Sequence, residues 1–177
     1  MDLHTKFAIQ YLQERGIRLE TALAEGVEIC ASRIAPRDLR LRLGFDTWDN
    51  RRSGLADLIE EALWFPCFDA NGTKKGYVLR PFPPLLGKDG NPVKFLTPRD
   101  GDNYPFVPRK TWTVRQKGSQ PLLLTEGPCK ALALLDAGGL PVSVSGVWMA
   151  AKTDENGVLE LHAAIRENFV LRGRTVF

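Results

Sequence analysis

The chain has 177 residues, the length of one domain or two small ones, and it is long enough to bury a core without disulfide bonds. Its composition, 44% hydrophobic and 25% charged, is typical of a globular protein and excludes disorder over most of the length. The net charge of +3 is uneven, because residues 67–120 carry ten Lys/Arg against four Asp/Glu while the flanking parts are slightly acidic. A concentrated basic segment indicates contact with phosphates, although a solvated surface would also explain it.

The sequence carries no signal for a membrane or a secretory pathway. No run of about 18 apolar residues is present, and the N-terminal segment mixes charges into its apolar positions. The three cysteines, Cys30, Cys67 and Cys129, are far apart and form no Cys-x-x-Cys pair. This spacing supports neither a zinc site nor a disulfide framework. We therefore expect a cytoplasmic protein with reduced thiols and no membrane partner.

Helical periodicity marks the beginning of the chain. Phe7, Tyr11 and Leu12 recur at helical spacing, Gly16 supplies a stop signal, and a second short helix follows and ends at Gly26. Two helices joined by a glycine turn are compatible with a helix-turn-helix. The second helix carries little positive charge, however, so local packing is the favoured interpretation.

Strand periodicity begins at Ala62. Two apolar runs, ALWFPCF and KKGYVLRPF, flank a turn at residues 69–72 and predict a β-hairpin. Residues 81–92 are rich in Pro and Gly and predict a surface loop, and VKFLTP (93–98) predicts a further strand. The aromatic residues Tyr104, Phe106 and Trp112 either stack on bases or pack in the core.

The last third predicts an α/β unit. A strand (PLLLTEG), a helix (PCKALALLDAGG), a second strand (PVSVSG) and a helix near VLELHAAIRENF precede LRGRTVF, which begins a third strand. This order is typical of a parallel sheet. The predicted fold class is therefore α+β, with N-terminal helices and a small antiparallel sheet followed by a partial α/β unit with parallel strands.

Glu126 is the candidate chemical residue of this unit. It lies at the carboxyl end of the first predicted parallel strand, where ligands of open α/β sheets bind. The next helix begins directly after Gly127, and helix N-termini favour anions. A carboxylate at this junction can bind a divalent metal ion, transfer a proton, or simply lie exposed beside the helix.

The segment PLLLTEGPCKALALLDAGGLPVSVSG resembles the first half of a Toprim domain, the metal-dependent nucleotidyl-transfer module of primases, topoisomerases and some nucleases. Glu126, Gly127 and Gly146 match positions of that family. Upstream segments resemble the catalytic core of bacterial-type primases in the same order: AIQYLQERGIRLETALAEGV, LWFPCFDANGTKKGYVLRP, and VKFLTP, which is similar to a Lys-Tyr-Leu-Asn motif. Lys130 after the Glu-Gly pair is similar to primase-like proteins of phages, plasmids and other mobile elements.

The resemblance implies a division of the chain and a set of roles. A primase-core-like subdomain would span 1–120, with helices in 1–60 and a basic β-rich part in 62–120, and a partial Toprim domain would span 121–177. The residues with implied roles are Glu126 as metal ligand or general base, and Arg80, Lys94 and Lys130 as phosphate-binding residues. The implied cofactor is Mg²⁺ or Mn²⁺, and the implied partners are single-stranded DNA, nucleotides and a helicase.

Three departures limit what the resemblance implies. Lys130 stands where replicative primases usually have Asp, and Thr97 stands where the motif has Asn. The third Toprim strand should end in a metal-binding Asp-x-Asp pair, and the chain ends at Phe177 before any such pair. We therefore expect a protein truncated before that motif. A non-catalytic module that binds single-stranded nucleic acid and a Toprim-type nuclease stay open as alternatives.

Catalysis by this chain is not expected. Two-metal nucleotidyl transfer needs several converging carboxylates. Besides Glu126, only Asp154 and Glu155 follow the second strand closely, while Asp136 lies ten residues on, about 15 Å along the predicted helix at 1.5 Å per residue. We expect neither primer synthesis nor DNA cleavage.

Overall fold

The computed structural model describes residues 6–30, 34, 36–43, 59–69, 71–87, 89–98, 104–146, 150–153 and 156–177. The elements in chain order are α1 (Lys6–Glu14), α2 (Leu19–Ala24), β1 (Glu28–Cys30), α3 (Pro36–Leu43), β2 (Glu61–Phe68), β3 (Lys74–Phe82), β4 (Leu85–Leu86), β5 (Pro92–Val93), α4 (Arg109–Thr113), β6 (Leu123–Glu126), α5 (Pro128–Asp136), β7 (Pro141–Val144), β8 (Ala151–Thr153), β9 (Leu159–Leu161) and α6 (Ala163–Arg166). In these ranges, no helix has both the length and the apolar character needed to cross a membrane.

The two predicted N-terminal helices are present, and they pack locally. Gly16 ends α1 with a φ of +66°, a left-handed conformation that favours glycine. Leu12 and Ile17 lie in the core. The buried Glu61 carboxylate of β2 accepts backbone N–H groups near the start of α1, at 2.9 Å from Ala8 and 3.4 Å from Phe7. Because a negative charge is favourable at a helix N-terminus, Glu61 fixes α1 to the sheet.

The predicted hairpin forms the centre of an antiparallel sheet with strand order β1-β2-β3. In its turn, one oxygen of the Asp69 carboxylate accepts the backbone N–H groups of Asn71 and Thr73, each at 2.9 Å. Gly72 has a φ of +74°, which explains why a glycine occupies this position. The turn residues therefore set the register of β2 and β3, as the sequence indicates.

Residues 81–98 depart from the prediction. The expected surface loop contains a two-stranded antiparallel sheet, β4 with β5. Of the expected strand over 93–98, Val93 ends β5, and beyond it one bridge remains, in which Leu96 exchanges both backbone hydrogen bonds with Leu79. The reason lies outside the segment: the carbonyl of Lys94 accepts its hydrogen bond from the side chain of Arg80 in β3.

The predicted α/β unit is confirmed in its first part, since β6 and β7 pair in parallel and α5 connects them. The predicted third strand is reduced to one parallel bridge, Leu122 with Val176, beside the other edge of β6. Leu122 donates to the Thr175 carbonyl at 2.9 Å, Phe177 donates to the Leu122 carbonyl at 3.0 Å, and Leu124 donates to the Phe177 carbonyl at 2.7 Å. The mixed α+β fold class predicted from the sequence is thus confirmed.

The helix predicted near residues 158–169 is wrong in its first half. Leu159–Leu161 form β9, which pairs antiparallel with β8, and only Ala163–Arg166 are helical. His162 separates the two elements, because its Nδ1 accepts the backbone N–H of Ala164 and caps the helix. Leu159–Leu161 therefore belong to a short hairpin.

The core joins both halves of the chain. One cluster of buried residues contains Leu12 of α1, Phe65 of β2 and Leu132 of α5. It thus includes residues on both sides of the boundary predicted at 120/121, and that boundary stays a prediction.

The aromatic residues of the 104–112 region take part in packing. Phe106 is buried, and its ring centroid lies 5.6 Å from the ring centroid of Phe65. Trp112 stacks on Phe68 with a centroid separation of 6.3 Å. These contacts favour the core interpretation for Phe106 and Trp112 over base stacking.

Candidate functional site

A cavity of about 550 Å³ lies where α1, residues 94–97 and the β6–α5 junction meet. Its volume is in the range of small-ligand sites. The carboxyl ends of β6 and β7 form one wall, as expected for ligand binding at an open α/β sheet. The lining residues are Tyr11, Arg15, Val78, Lys94, Phe95, Thr97, Glu126, Gly127, Pro128, Cys129, Lys130, Ser145 and Gly146.

Three of the four residues predicted from the sequence therefore meet at one cavity. Glu126 ends β6, Lys130 lies in the first turn of α5, and Lys94 follows β5. Gly127 makes the sharp connection from β6 to α5 with a φ of +86°, and its N–H donates to the Val144 carbonyl at 3.1 Å. This turn brings Glu126 and Lys130 to the same wall.

The cavity is lined by three exposed cations, Arg15, Lys94 and Lys130. In the part of the chain that the structure describes, none of the three belongs to a salt bridge. Cationic side chains that face a cavity without a carboxylate partner can neutralise an anionic ligand there. Phosphate groups are the anions that Lys and Arg bind most readily in proteins.

Arg15 and Tyr11 are site residues that sequence reasoning missed. The Arg15 guanidinium carbon lies 4.1 Å from the centroid of the Tyr11 ring, a cation–π arrangement that holds the side chain at the cavity. Arg15 directly follows α1, and the i, i+4 spacing places it on the same face as Tyr11, which was the available signal. Only the packing of α1 beside α5 reveals that this face lines the site.

Arg80 is placed differently from the other predicted residues. Its side chain is buried and does not line the cavity. One guanidinium nitrogen donates to the Lys94 carbonyl at 2.9 Å, and its central carbon lies 4.6 Å from the Tyr11 ring centroid and 5.3 Å from that of Phe95. Phosphate binding by Arg80 stays a prediction. The geometry favours a positioning role, in which Arg80 holds the segment that carries Lys94.

The other titratable groups in the cavity wall are neutral near pH 7. Burial raises the pKa of the Cys129 thiol to about 11. Burial also raises the pKa of the Tyr11 hydroxyl, and the neighbouring Cys129 adds to this effect. The charge of the cavity therefore comes from its three cations and from Glu126.

The described residues do not fit a two-metal centre. Glu126 is the one carboxylate among the described residues that line the cavity, and the described ranges contain no group of three His, Cys, Asp or Glu side chains able to hold a metal ion. Asp154 and Glu155 lie outside these ranges. Asp136 is bound to Arg18 and Thr21 at the other end of α5. Two-metal catalysis requires more carboxylates than Glu126 alone.

Solved structures with the same fold are primase catalytic cores. The chain is 19% identical to the E. coli primase catalytic core, with a TM-score of 0.52 over 84% of this chain and 50% of that one. It is 18% identical to the RNA polymerase domain of Mycobacterium tuberculosis primase DnaG in complex with a double-stranded DNA oligomer with an overhang, with a TM-score of 0.52 over 83% and 49%. For a DnaG primase catalytic domain bound to ssDNA the identity is 21%, with a TM-score of 0.51 over 83% and 49%.

The chain thus has a primase-like fold and spans about half the length of these catalytic cores. Residues 111–177 match the sequence family described as a domain of unknown function (DUF3854). A comparison with curated proteins finds no significant match.

Proposed function

We propose that this chain is a primase-like protein of DNA replication that binds the phosphate groups of single-stranded DNA or of a nucleotide in the cavity. The observation that carries the proposal is the set of three exposed cations, free of ion pairs with described residues, around one cavity of about 550 Å³. The fold supports it, because a similar primase domain is described as bound to ssDNA.

The aromatic side chains of the cavity add to this proposal. Tyr11 and Phe95 line it beside the cations. Proteins that bind single strands without sequence preference combine a positive groove with aromatic faces on which bases stack. In this cavity Phe95 is the ring offered beside the cations, because the guanidinium groups of Arg15, at 4.1 Å, and Arg80, at 4.6 Å, already contact the Tyr11 ring.

Removal of the cavity lysines should weaken binding to a labelled oligo-dT strand. Each of Lys94→Ala and Lys130→Ala should reduce the slope of log K against log salt by about 0.7, the value for one phosphate contact on a single strand, and the double variant by about 1.4. Fluorescence anisotropy at several salt concentrations measures both affinity and slope. Lys117→Ala removes an exposed lysine outside the cavity lining and should leave both unchanged.

Equal affinities and slopes for wild type, the cavity variants and the Lys117 variant would contradict the proposal. Such a result would mean that the basic residues form a solvated surface.

Metal-dependent nucleotidyl transfer is a second candidate function, favoured by the position of Glu126 at the carboxyl end of β6. Glu126 would serve there as metal ligand or general base with Mg²⁺ or Mn²⁺, and a Toprim-type nuclease would use the same carboxylate. Both reactions need carboxylates in addition to Glu126.

We expect no primer synthesis by this chain on a single-stranded template with either metal, because the described carboxylates are too few. A primer-extension assay compares the wild type with Glu126→Gln. Synthesis by the wild type that is lost in the variant would establish catalysis and replace binding as the function.

The cellular setting proposed for this protein is the cytoplasm. The buried Cys67 and Cys129 are free thiols, which suits the reducing cytoplasm. The resemblance through Lys130 supports a mobile genetic element as the source, and a helicase partner stays a prediction of the same resemblance.

A further inference from the structure

We propose that phosphate binding in the cavity requires no divalent metal ion, and that Glu126 weakens the binding of the anionic ligand instead of holding a metal for it. The inference rests on the proposed function. A phosphate ligand needs positive charge around it. In this cavity, the protein's own side chains supply it.

The balance of charge in the cavity is the first argument. Arg15, Lys94 and Lys130 face one carboxylate, Glu126, which leaves an excess of two positive charges in the lining. Arg80 adds a further cation directly behind the wall, within 5.3 Å of the Phe95 ring centroid. A divalent cation entering this cavity is repelled by these groups, whereas a phosphate is attracted.

The oxygen ligands available to a metal are the second argument. Mg²⁺ prefers about six oxygen ligands in near-ideal geometry, usually including one or two carboxylates. Among the described lining residues, Glu126 offers the one carboxylate, and the cation Lys130 lies in the first turn of the helix that follows it. The nearby Cys129 thiol and Tyr11 hydroxyl are held in their neutral forms by burial and add no anionic ligand.

The orientation of α5 is the third argument. This helix of nine residues begins at the cavity, and no side chain caps it. Its first residue, Pro128, has no N–H, and the N–H of Lys130 donates to the Gly127 carbonyl at 3.2 Å, which leaves the dipole of the helix and the N–H of Cys129 to act on a ligand. The N-terminus of a helix carries a partial positive charge that favours anions and disfavours cations. It therefore acts in the same direction as the three side-chain cations.

The test measures the affinity of labelled oligo-dT for the 177-residue chain in EDTA and in Mg²⁺ or Mn²⁺, at constant ionic strength. Affinity in EDTA should equal that in metal within about twofold. Glu126→Gln should bind the strand about two- to fivefold more tightly in both buffers, because one exposed repulsive charge is removed. Glu20→Gln changes an exposed carboxylate outside the cavity lining and should leave the affinity unchanged.

A competition experiment distinguishes the phosphates of a DNA strand from the phosphate tail of a nucleotide as the ligand. Inorganic tripolyphosphate, added in EDTA, should displace the strand if a nucleotide's phosphate tail can occupy the same cavity. Weaker displacement of the strand in Lys130→Ala than in the wild type would support binding of a nucleotide's phosphate tail. Equal displacement in the two proteins would mean that tripolyphosphate acts by general charge screening, and it would overturn binding of the phosphate tail in the cavity.

The outcome that would overturn the inference is a gain in affinity of about tenfold or more on addition of Mg²⁺ or Mn²⁺ that disappears in Glu126→Gln. That result would make Glu126 a metal ligand and would leave the proposed binding function intact. Failure of the chain to bind oligo-dT in either buffer would overturn the inference together with the proposed function.

Discussion

Replacement of Phe65 with alanine should lower the free energy of unfolding by about 3–5 kcal/mol, the usual cost of removing a buried aromatic ring. Phe65 lies on β2 and is fully buried. Its ring meets Phe106 edge-on at 5.6 Å and Phe95 at 6.4 Å, so it joins three segments that are distant in sequence. Because small domains are stable by only about 5–15 kcal/mol, the substitution should remove a large part of the total.

Urea unfolding followed by tryptophan fluorescence measures this loss. Phe65→Leu keeps most of the apolar volume and should lose less, which keeps the prediction testable where the alanine variant does not fold. Phe7→Ala removes an aromatic ring that is 54% exposed and should change stability by no more than about 0.5 kcal/mol. A loss at Phe65 no larger than that at Phe7 would show that the three aromatic rings do not form a cooperative core.

The sequence predicts the elements whose signals are local. The β2–β3 hairpin was predicted because Asp69 and Gly72 form its turn by contacts within five residues, at 2.9 Å from Asp69 to the N–H of Thr73. The β6–α5–β7 unit was predicted because Pro128 suits the first turn of a helix and the Gly138-Gly139 pair ends it, between two apolar strands. In both cases the residues that set the structure lie inside the segment they organise.

The sequence predictions fail where residues distant in the chain determine the local structure. Residues 93–98 have strand character, but Arg80 takes the Lys94 carbonyl, so a continuous strand does not form. Residues 158–161 have helical periodicity, yet Leu159–Leu161 pair with Ala151–Thr153, and the helix starts only after His162. Neither side-chain capture of a carbonyl nor strand pairing across a turn can be read from the periodicity of one segment.

The candidate site was also predicted from the sequence only in part. The resemblance placed Lys94, Glu126 and Lys130 in one functional set, and they do line one cavity, although their roles stay untested. The contribution of Arg15 was missed because it depends on how α1 packs beside α5. The burial of Arg80 was also missed, since a basic residue in an exposed-looking strand pattern gives no sign of a position beneath another segment.

Asp136→Ala should lower the free energy of unfolding by about 1–3 kcal/mol at neutral pH, as expected for the loss of hydrogen bonds to a charged group. The Asp136 side chain is only 9% exposed, at the end of α5. One carboxylate oxygen accepts from the Thr21 hydroxyl at 2.7 Å and from the Arg18 side chain at 2.7 and 2.9 Å, and the other accepts the Arg18 backbone N–H at 2.9 Å. These bonds fix α2 against α5, which carries Lys130 at its opposite end. Urea unfolding at neutral pH measures the loss.

The contribution of the Asp136 carboxylate to the free energy of unfolding should decrease at low pH. Burial alone would raise the pKa of Asp136, but the hydrogen bonds from Thr21 and Arg18 and the Arg18 charge hold that pKa below its usual range. A lowered pKa in the folded state stabilises the protein above the unfolded value of about 3.9, and this stabilisation is lost as the pH falls through the folded value. The stability difference between wild type and Asp136→Asn should therefore be constant near neutrality and shrink below about pH 4.

A difference that stays constant to lower pH would show that the carboxylate charge contributes nothing, and that the amide of asparagine fails for reasons of geometry. Glu20→Gln, on the exposed side of α2, supplies the matched loss of a carboxylate without these bonds and should show no such dependence.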